Sequence, residues 1–209
     1  MHRQNLPRRL CPIPGTQPPP RGLFIDRWGT LLEEPNGAFE PFERARFTSR
    51  ALDALFRVSR TGWRLYLIGN EDAVARGSAS DGDWASFETA LLAHLRHLGI
   101  TVTRNYACLE DPIDGRGPHR KGSVFRLPDT GVFFHAVQND GVALRHSFVI
   151  GDSTLEIAAG ARAGCRTIAV RTGAGGLDRA LAVEPDIQVE TLADGLELFL
   201  RSEACMGPA

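Results

Sequence analysis

The chain has few of the features that mark membrane, secreted or nucleic-acid-binding proteins. Its 209 residues include four cysteines and no Cys-x-x-Cys pair, and no apolar run approaches the roughly 18 residues that a membrane helix needs. The net charge is −1, so bulk charge gives no basis for binding nucleic acid or an anionic membrane. The N-terminus lacks the apolar segment of a secretory signal. We therefore expect a reduced, cytoplasmic protein without a nucleic-acid or membrane partner.

The composition is that of an ordinary globular domain. Hydrophobic residues make up 43% of the chain and charged residues 23%, and the length suits one domain with a full core. Residues 1–21 contain several prolines, including the run Pro18-Pro19-Pro20, and predict an extended tail without a core of its own. The sequence thus predicts a tail over residues 1–21 and one α/β domain over residues 22–209.

Short apolar runs alternate with amphipathic stretches from residue 22 onward. The predicted strands are residues 23–26, 63–68, 100–107, 147–150, 167–170 and 187–189, and the predicted helices are 48–60, 83–98, 131–139, 155–163 and 192–201. This alternation predicts a three-layer, Rossmann-like sandwich with a mostly parallel central sheet. Ligands in such folds bind beyond the carboxyl ends of the strands, so the residues that follow each strand are the candidates for function.

Two of the predicted strands end in an aspartate. Asp26 follows the first strand, and Asp152 follows the fourth. Each could simply cap the next turn or helix. If the two carboxylates converge, however, they offer the hard oxygen ligands that Mg²⁺ prefers, and an aspartate in such a place can also be a covalent nucleophile.

The segments around these aspartates resemble motifs of the haloacid dehalogenase (HAD) superfamily. Asp26-Arg27-Trp28-Gly29-Thr30 is similar to its Asp-x-Asp-Gly-Thr motif, and Gly151-Asp152 with Glu156 is similar to its Gly-Asp-x-x-x-Asp motif. Asn70, followed by Ala75-Arg76-Gly77, resembles a segment of the histidinol phosphate and heptose bisphosphate phosphatases. The resemblance implies a HAD-like fold, and no insert in the chain is long enough for a large cap domain.

The resemblance also implies roles for individual residues. Asp26 is expected to be the catalytic nucleophile and an Mg²⁺ ligand, together with Asp152 and the backbone carbonyl of Trp28, while Glu156 supports the metal indirectly. The residues expected to bind the substrate phosphate are Asn70, Arg76, Lys121 and Arg126. Each has a plainer interpretation as a turn residue or a solvated loop charge.

Three positions depart from the motifs. Trp28 replaces the second aspartate, and since an indole N–H is not an acid near neutral pH, the general-acid step loses roughly 10²–10⁴-fold. Gly69 stands where the resembled phosphatases have a threonine, and Leu127 stands where they have a lysine. The flexible side chain of Lys121 could replace that lysine.

The zinc loop of the resembled phosphatases is largely missing from this chain. Of its four ligands Cys108 alone remains, and because tetrahedral zinc needs four donors, no zinc is expected. Cys108 is then expected to be a buried structural thiol.

Three functions remain open on this sequence. The first is an Mg²⁺-dependent phosphohydrolase that acts on a small phosphorylated metabolite through an aspartyl-phosphate, with an impaired general-acid step. The second is a lapsed relative that binds phosphate or serves as a scaffold. The third, less favoured, is cleavage of a C–halogen or C–P bond. The sequence leaves the oligomeric state open.

Overall fold

The structure is a computed structural model that describes residues 19–35 and 39–206. Most of the predicted tail over residues 1–21 therefore lies outside the described residues, and so do Cys11 and residues 207–209. Within the described part, no helix is both long enough and apolar enough to cross a membrane.

Six parallel strands form one central sheet. The strands are β1 (Gly22–Asp26), β2 (Arg64–Ile68), β3 (Val102–Asn105), β4 (Phe148–Gly151), β5 (Arg166–Val170) and β6 (Ile187–Val189). Their order across the sheet is β3-β2-β1-β4-β5-β6, and every adjacent pair is parallel. The chain therefore runs outward from β1 to one edge and returns to build the other half, so the sheet has its topological switch point between β1 and β4.

Helices connect all consecutive strands except β5 and β6, between which residues 171–186 form a loop. The helices are α1 (Ala51–Val58), α2 (Asp72–Ala75), α3 (Asp81–His97), α4 (Gly131–Asp140), α5 (Thr154–Ala163) and α6 (Leu192–Met206). Two of them start with a capping box, in which Ser80 caps α3 and Ser153 caps α5. In each box the serine accepts a backbone N–H while an acid three residues later accepts the N–H of the serine, which satisfies otherwise free donors.

Two hydrophobic cores lie on opposite faces of the sheet. Alternate residues of β1 point to opposite faces, so Leu23 and Ile25 pack with α1, α3 and α6. On the other side Phe24 stacks on Tyr66 and packs against Phe133 of α4. The central strands are buried on both faces, as expected for a parallel sheet between two helical layers.

This architecture confirms the predicted three-layer α/β sandwich. Every predicted strand and helix has a counterpart, although the first predicted helix and the third predicted strand are shorter in the structure, and the last helix extends beyond residue 201. The short helix α2 was not predicted as a separate element. The described residues contain no inserted cap domain, and the long segment over residues 109–129 contains one short 3₁₀ helix, Gly117–His119.

Candidate active site at the ends of β1 and β4

Asp26 and Asp152 meet at the carboxyl edge of the two central strands. Ile25 pairs with Ile150 in the parallel register of β1 and β4, so the residues that end these strands lie side by side. Both aspartates are almost fully buried, with exposed fractions of 5% and 4%. Their carboxyl groups are close enough to share a hydrogen bond. The structure therefore brings together the two residues on which the predicted metal site depends.

Burial raises the pKa values of both acids. Burial raises the pKa of Asp26 well above its ordinary value, and the charges of Glu156 and Asp152 add to the effect, whereas Arg27 opposes it. Burial also raises the pKa of Asp152, although the backbone N–H of Ala174 works in the opposite direction. The site concentrates negative charge where water cannot screen it, which is the electrostatic condition that a bound cation relieves.

Backbone and hydroxyl groups hold the Asp152 carboxylate in place. The N–H of Ala174 donates to Oδ2 at 2.7 Å, and the Thr30 hydroxyl donates to Oδ1 at 3.3 Å. Gly29 and Gly173 lie against the same carboxylate and have positive φ angles, +78° and +58° respectively. A Cβ atom would lie 2.3 Å from Asp152 Oδ2 at Gly29 and 2.1 Å from it at Gly173. Glycine is therefore required at both positions by backbone conformation and by space.

Glu156 serves first as a capping residue. Its carboxylate accepts hydrogen bonds from the backbone N–H and the hydroxyl of Ser153, which completes the capping box of α5. Burial raises the pKa of Glu156 to about 7, and the charge of Asp152 adds to this while Ser153 opposes it. The Glu156 carboxylate lies close enough to the two aspartates for its charge to raise the pKa of Asp26, and for the charge of Asp152 to raise its own pKa. Its indirect support of a metal stays a prediction.

A buried ion pair lies directly beside Asp26. Arg27 is fully buried, and its Nε and Nη2 atoms donate to Glu71 Oε1 at 2.8 and 2.5 Å. The remaining donors of Arg27 contact the side chain of Asn105 and the carbonyl oxygens of Gly69 and Tyr106. The guanidinium is thus held by groups other than Asp26, and it neutralises Glu71 rather than the nucleophile.

No feature of the predicted site included this ion pair. The charge of Glu71 is compensated by Arg27. A signal was present, because Arg27 follows a buried strand directly and Glu71 lies just beyond the neighbouring strand β2. Opposite charges at adjacent strand ends can meet in a parallel sheet.

The Trp28 side chain is fixed by the same carboxylate. Its Nε1–H donates to Glu71 Oε2 at 3.0 Å, and its ring packs against Phe87 with the centroids 5.1 Å apart. Trp28 also lines a cavity of about 450 Å³ together with residues 33–35, 40 and 43–46. The segments on either side of residues 36–38 therefore contribute most of that wall.

The ends of β2 and of the long loop meet near the nucleophile. A Cβ atom at Gly69 would lie 3.3 Å from Asp26 Oδ1 and 3.0 Å from Arg27 Nη2. The next residue, Asn70, donates from Nδ2 to the carbonyl of Leu127 and accepts the N–H of Leu127 at Oδ1, each at 2.9 Å. Asn70 therefore ties the two segments together, and the side chain of Leu127 is buried.

The three predicted phosphate-binding cations form ion pairs in this structure. Lys121 Nζ lies 3.6 Å from a carboxylate oxygen of Glu110, and the lysine side chain is 62% exposed. The other pairs are Arg76 with Asp72 and Asp114, and Arg126 with Asp72 and Asp111. Substrate binding by Asn70, Arg76, Lys121 and Arg126 stays a prediction, and for the cations it requires exchange of a carboxylate for a phosphate.

Cys108 is buried, as expected for a structural thiol, and burial raises its pKa. Its Sγ lies 3.4 Å from a carboxylate oxygen of Glu110. Among the residues that the structure describes, no group of three or more His, Cys, Asp or Glu side chains has the geometry of a metal site. A magnesium site of the predicted kind needs fewer protein ligands than that, because Mg²⁺ keeps several waters and binds through one or two carboxylates plus substrate.

The donor set at the strand ends fits Mg²⁺ on chemical grounds. Asp26 and Asp152 supply hard oxygen ligands, and both carboxyl groups are buried side by side at the strand ends. The neighbouring Arg27 is already engaged with Glu71. These residues can therefore hold a divalent cation, with the backbone carbonyl of Trp28 as a further predicted ligand.

Comparison with known proteins supports this assignment of the fold. The family model described as HAD-hyrolase-like matches residues 124–195. D-glycero-beta-D-manno-heptose-1,7-bisphosphate 7-phosphatase of Pasteurella multocida is 25% identical over 154 residues, which cover 73% of this chain and 83% of that protein. The histidine biosynthesis bifunctional protein HisB of Legionella pneumophila is 27% identical over 131 residues, which cover 62% of this chain and 35% of that protein.

A solved structure gives the same result. The crystal structure of D,D-heptose 1,7-bisphosphate phosphatase from B. bronchiseptica, complexed with magnesium and phosphate, superposes with a TM-score of 0.76 at 23% sequence identity. The match covers 88% of this chain and 99% of that chain. The chain therefore has a HAD-like α/β fold. The predicted resemblance is confirmed, and the relatives that it picks out include phosphatases of heptose bisphosphate.

Proposed function

We propose that this protein is an Mg²⁺-dependent phosphohydrolase that acts on a small phosphorylated metabolite. The observation that carries the proposal is the convergence of Asp26 and Asp152, both buried, at the switch point of the parallel sheet. Buried like charges are costly, and an arrangement that keeps them next to each other is typical of a functional site.

In the proposed mechanism Asp26 is the nucleophile. Its carboxylate attacks the phosphorus atom, the bond to the leaving oxygen breaks, and an aspartyl-phosphate forms and is then hydrolysed by water. Ala174 and Thr30 hold the Asp152 carboxylate in place, so Asp152 would serve as the second carboxylate ligand of the metal while Asp26 is phosphorylated. When bound, Mg²⁺ would reduce the repulsion between the carboxylates and an incoming phosphate.

The relatives support this choice of substrate class. Those from Pasteurella multocida and B. bronchiseptica are named as phosphatases of heptose bisphosphate, so phosphorylated sugars belong in the first screen. The aligned part spans 35% of the Legionella HisB protein, so the activities of that longer protein are a weaker guide to the substrate of this chain.

A second candidate function is phosphate binding without turnover. It is favoured by Leu127, which is buried where the resembled phosphatases have a lysine, and by Trp28, which provides no acid. Cleavage of a C–halogen or C–P bond is kept as a third candidate from the sequence, since neither needs the second aspartate.

A screen of phosphate release tests the proposal. The native chain is assayed with Mg²⁺ against sugar phosphates, acyl phosphates and aryl phosphates, beside Asp26→Asn and Asp152→Asn. We expect release by the native chain that requires Mg²⁺ and is lost in both variants. Release that persists in Asp26→Asn would show that a contaminant or another residue is responsible, and no release from any compound would favour the binding function.

A further inference from the structure

We propose that this site selects phosphorylated compounds whose leaving group departs without accepting a proton, such as acyl phosphates and other activated phosphates. The inference rests on the proposed phosphohydrolase function and specifies its substrate class. Simple alkyl phosphates would be poor substrates. The chain would then differ from relatives named for a sugar bisphosphate, although it shares their fold.

The first observation is the position of the Trp28 indole. Its N–H is used in the 3.0 Å hydrogen bond to Glu71 Oε2, and its ring is packed against Phe87. An indole nitrogen does not release its proton near neutral pH. The residue two positions after the nucleophile therefore forms a fixed wall of the site and supplies no acid.

The second observation is that Glu71 cannot replace the acid. Its Oε1 accepts two hydrogen bonds from Arg27, and its Oε2 accepts one from Trp28. Glu71 is 2% exposed and Arg27 is fully buried, so this arrangement is shielded from solvent. Both oxygens of Glu71 are therefore engaged by Arg27 and Trp28 inside the protein, and Glu71 is not among the residues that line the cavity beside Trp28.

One further carboxyl group lies near enough to matter. Glu34 lines the same cavity as Trp28 and is exposed to solvent. Partial burial raises its pKa, and the charges of Asp152 and Glu71 contribute. Other charged residues line this cavity: Glu33, Glu40, Glu43, Arg44 and Arg46. Unlike Glu71, Glu34 is exposed to solvent, and a Glu34→Gln variant would reveal any proton that it donates.

Without a general acid, only leaving groups that are stable as anions can depart readily. As Asp26 attacks, the electron pair of the breaking P–O bond stays on the leaving oxygen. A carboxylate leaving from an acyl phosphate, or a phenolate with electron-withdrawing groups, is stable as the anion. An alkoxide is not, and without general acid catalysis its release is slower by roughly 10²–10⁴-fold.

The test is the dependence of the first chemical step on the leaving group. Release of phenol from a series of substituted aryl phosphates, and of the alcohol from an alkyl phosphate, is measured with Mg²⁺ in single-turnover experiments. The enzymes are the native chain, Trp28→Asp, Trp28→Asn and Glu34→Gln, with Glu33→Gln as the matched control for Glu34. Asn has the size of Asp without its acidity, so Trp28→Asn controls for the removal of the indole.

We expect the native chain to lose rate steeply as the phenol becomes less acidic and to be slow with the alkyl phosphate. Trp28→Asp should reduce this dependence and raise the alkyl phosphate rate by at least ~10²-fold, whereas Trp28→Asn should keep the steep dependence. If Trp28→Asp fails to fold, the steepness measured on the native chain is still a sufficient test.

Three results would overturn the inference. A release rate of the native chain that depends only weakly on the acidity of the phenol would show that a proton is supplied to the leaving group. If Glu34→Gln makes this dependence steep and Glu33→Gln does not, Glu34 is the donor of that proton. An equal gain in Trp28→Asn and Trp28→Asp shows that the indole acts by obstruction alone. Absence of any Asp26-dependent release overturns the proposed phosphohydrolase function as well, which distinguishes the two failures.

Discussion

At the scale of single residues, the site is governed by how buried charges are compensated. Glu71 and Arg27 form a buried ion pair in which each charge faces an opposite charge. Within the described residues, Asp26 and Asp152 form no salt bridge, and the two carboxyl groups lie next to each other. The first arrangement stabilises the fold, and the second stores unfavourable energy at the place where a cation and a phosphate would bind.

The Glu71–Arg27 pair predicts a large loss of stability when one partner is removed. Glu71→Gln leaves the buried guanidinium of Arg27 with a neutral partner, and the free energy of unfolding should fall by about 3–5 kcal/mol. Urea denaturation measures the change. Glu33→Gln, an exposed residue on the wall of the same cavity, should change it by less than about 0.5 kcal/mol. Equal effects of the two substitutions would refute this view of the pair.

The glycines around Asp152 predict a loss of metal affinity. Gly173→Ala places a Cβ atom on Asp152 Oδ2 and should displace that carboxylate. We expect Mg²⁺ affinity to fall about tenfold or more, which corresponds to a loss of at least ~1.4 kcal/mol of binding free energy. Gly164→Ala is the matched control, since Gly164 also has positive φ, +83°, but has open space around it.

Both alanine variants should lose about 1 kcal/mol of stability from the left-handed backbone conformation. Isothermal titration with Mg²⁺ and thermal melts separate the two effects. Unchanged Mg²⁺ affinity in Gly173→Ala would show that the Asp152 carboxylate is not a ligand.

At the scale of secondary structure elements, α4 is connected to the sheet through its last residue. The Asp140 carboxylate accepts hydrogen bonds from Arg104 of β3, at 2.8 Å from Nε, and from the Tyr66 hydroxyl of β2, at 3.1 Å. The hydrogen bond from Arg104 lowers the pKa of Asp140. One helix end is thereby attached to two neighbouring strands.

This contact predicts a pH-dependent contribution to stability. A carboxyl group whose pKa is lower in the folded state stabilises the protein above its unfolded pKa of about 3.9, and the contribution disappears as the pH falls through the folded value. Asp140→Asn should therefore cost about 1 kcal/mol at pH 7, since its arginine partners are partly exposed.

The difference between native and Asp140→Asn protein should vanish at acidic pH, below both pKa values, in denaturation measured across pH. Asp129→Asn, at an exposed residue before the same helix, is the control and should have little effect at any pH. A deficit of Asp140→Asn that stays constant down to acidic pH would contradict the proposed ion pair.

The elements themselves were largely predictable from the sequence, for physical reasons. Strands such as β1 and β4 are buried on both faces and read as continuous apolar runs, while Gly99 and Gly164 mark helix ends. The approach of Asp26 to Asp152 followed from parallel strands ending at one edge. The adjacent strand ends of β1 and β2 indicated that Arg27 and Glu71 could meet. The hydrogen bonds themselves could not be derived, because they depend on side-chain directions between residues 44 apart in the chain.

At the scale of the whole molecule, the fold gives up stability at its switch point in order to hold the site. In the absence of metal, burial and the charges of Glu156 and Asp152 disfavour the ionised form of Asp26. Asp26→Asn should therefore raise the free energy of unfolding of the metal-free protein, by about 1–2 kcal/mol, while removing activity.

Thermal melts in EDTA and in Mg²⁺ test this expectation. Binding of Mg²⁺ to the native fold stabilises it by mass action, about 2.7 kcal/mol at a metal concentration 100 times the dissociation constant, and Asp26→Asn should lose most of that gain. The matched comparison is the native chain in Ca²⁺-free and Mg²⁺-free buffer. A metal-free Asp26→Asn protein that melts below the native one would mean that the carboxylate is already compensated.

The central claim is that Asp26 accepts a phosphoryl group in a site completed by Asp152 and Mg²⁺. The most direct measurement is acid-quenched peptide mass spectrometry after brief mixing of the native chain with acetyl phosphate and Mg²⁺. We predict one added phosphoryl group on the peptide that contains Asp26, absent in EDTA, in Asp26→Asn and in Asp152→Asn. Phosphate found on another residue, or no modified peptide under any quench time, would contradict the account.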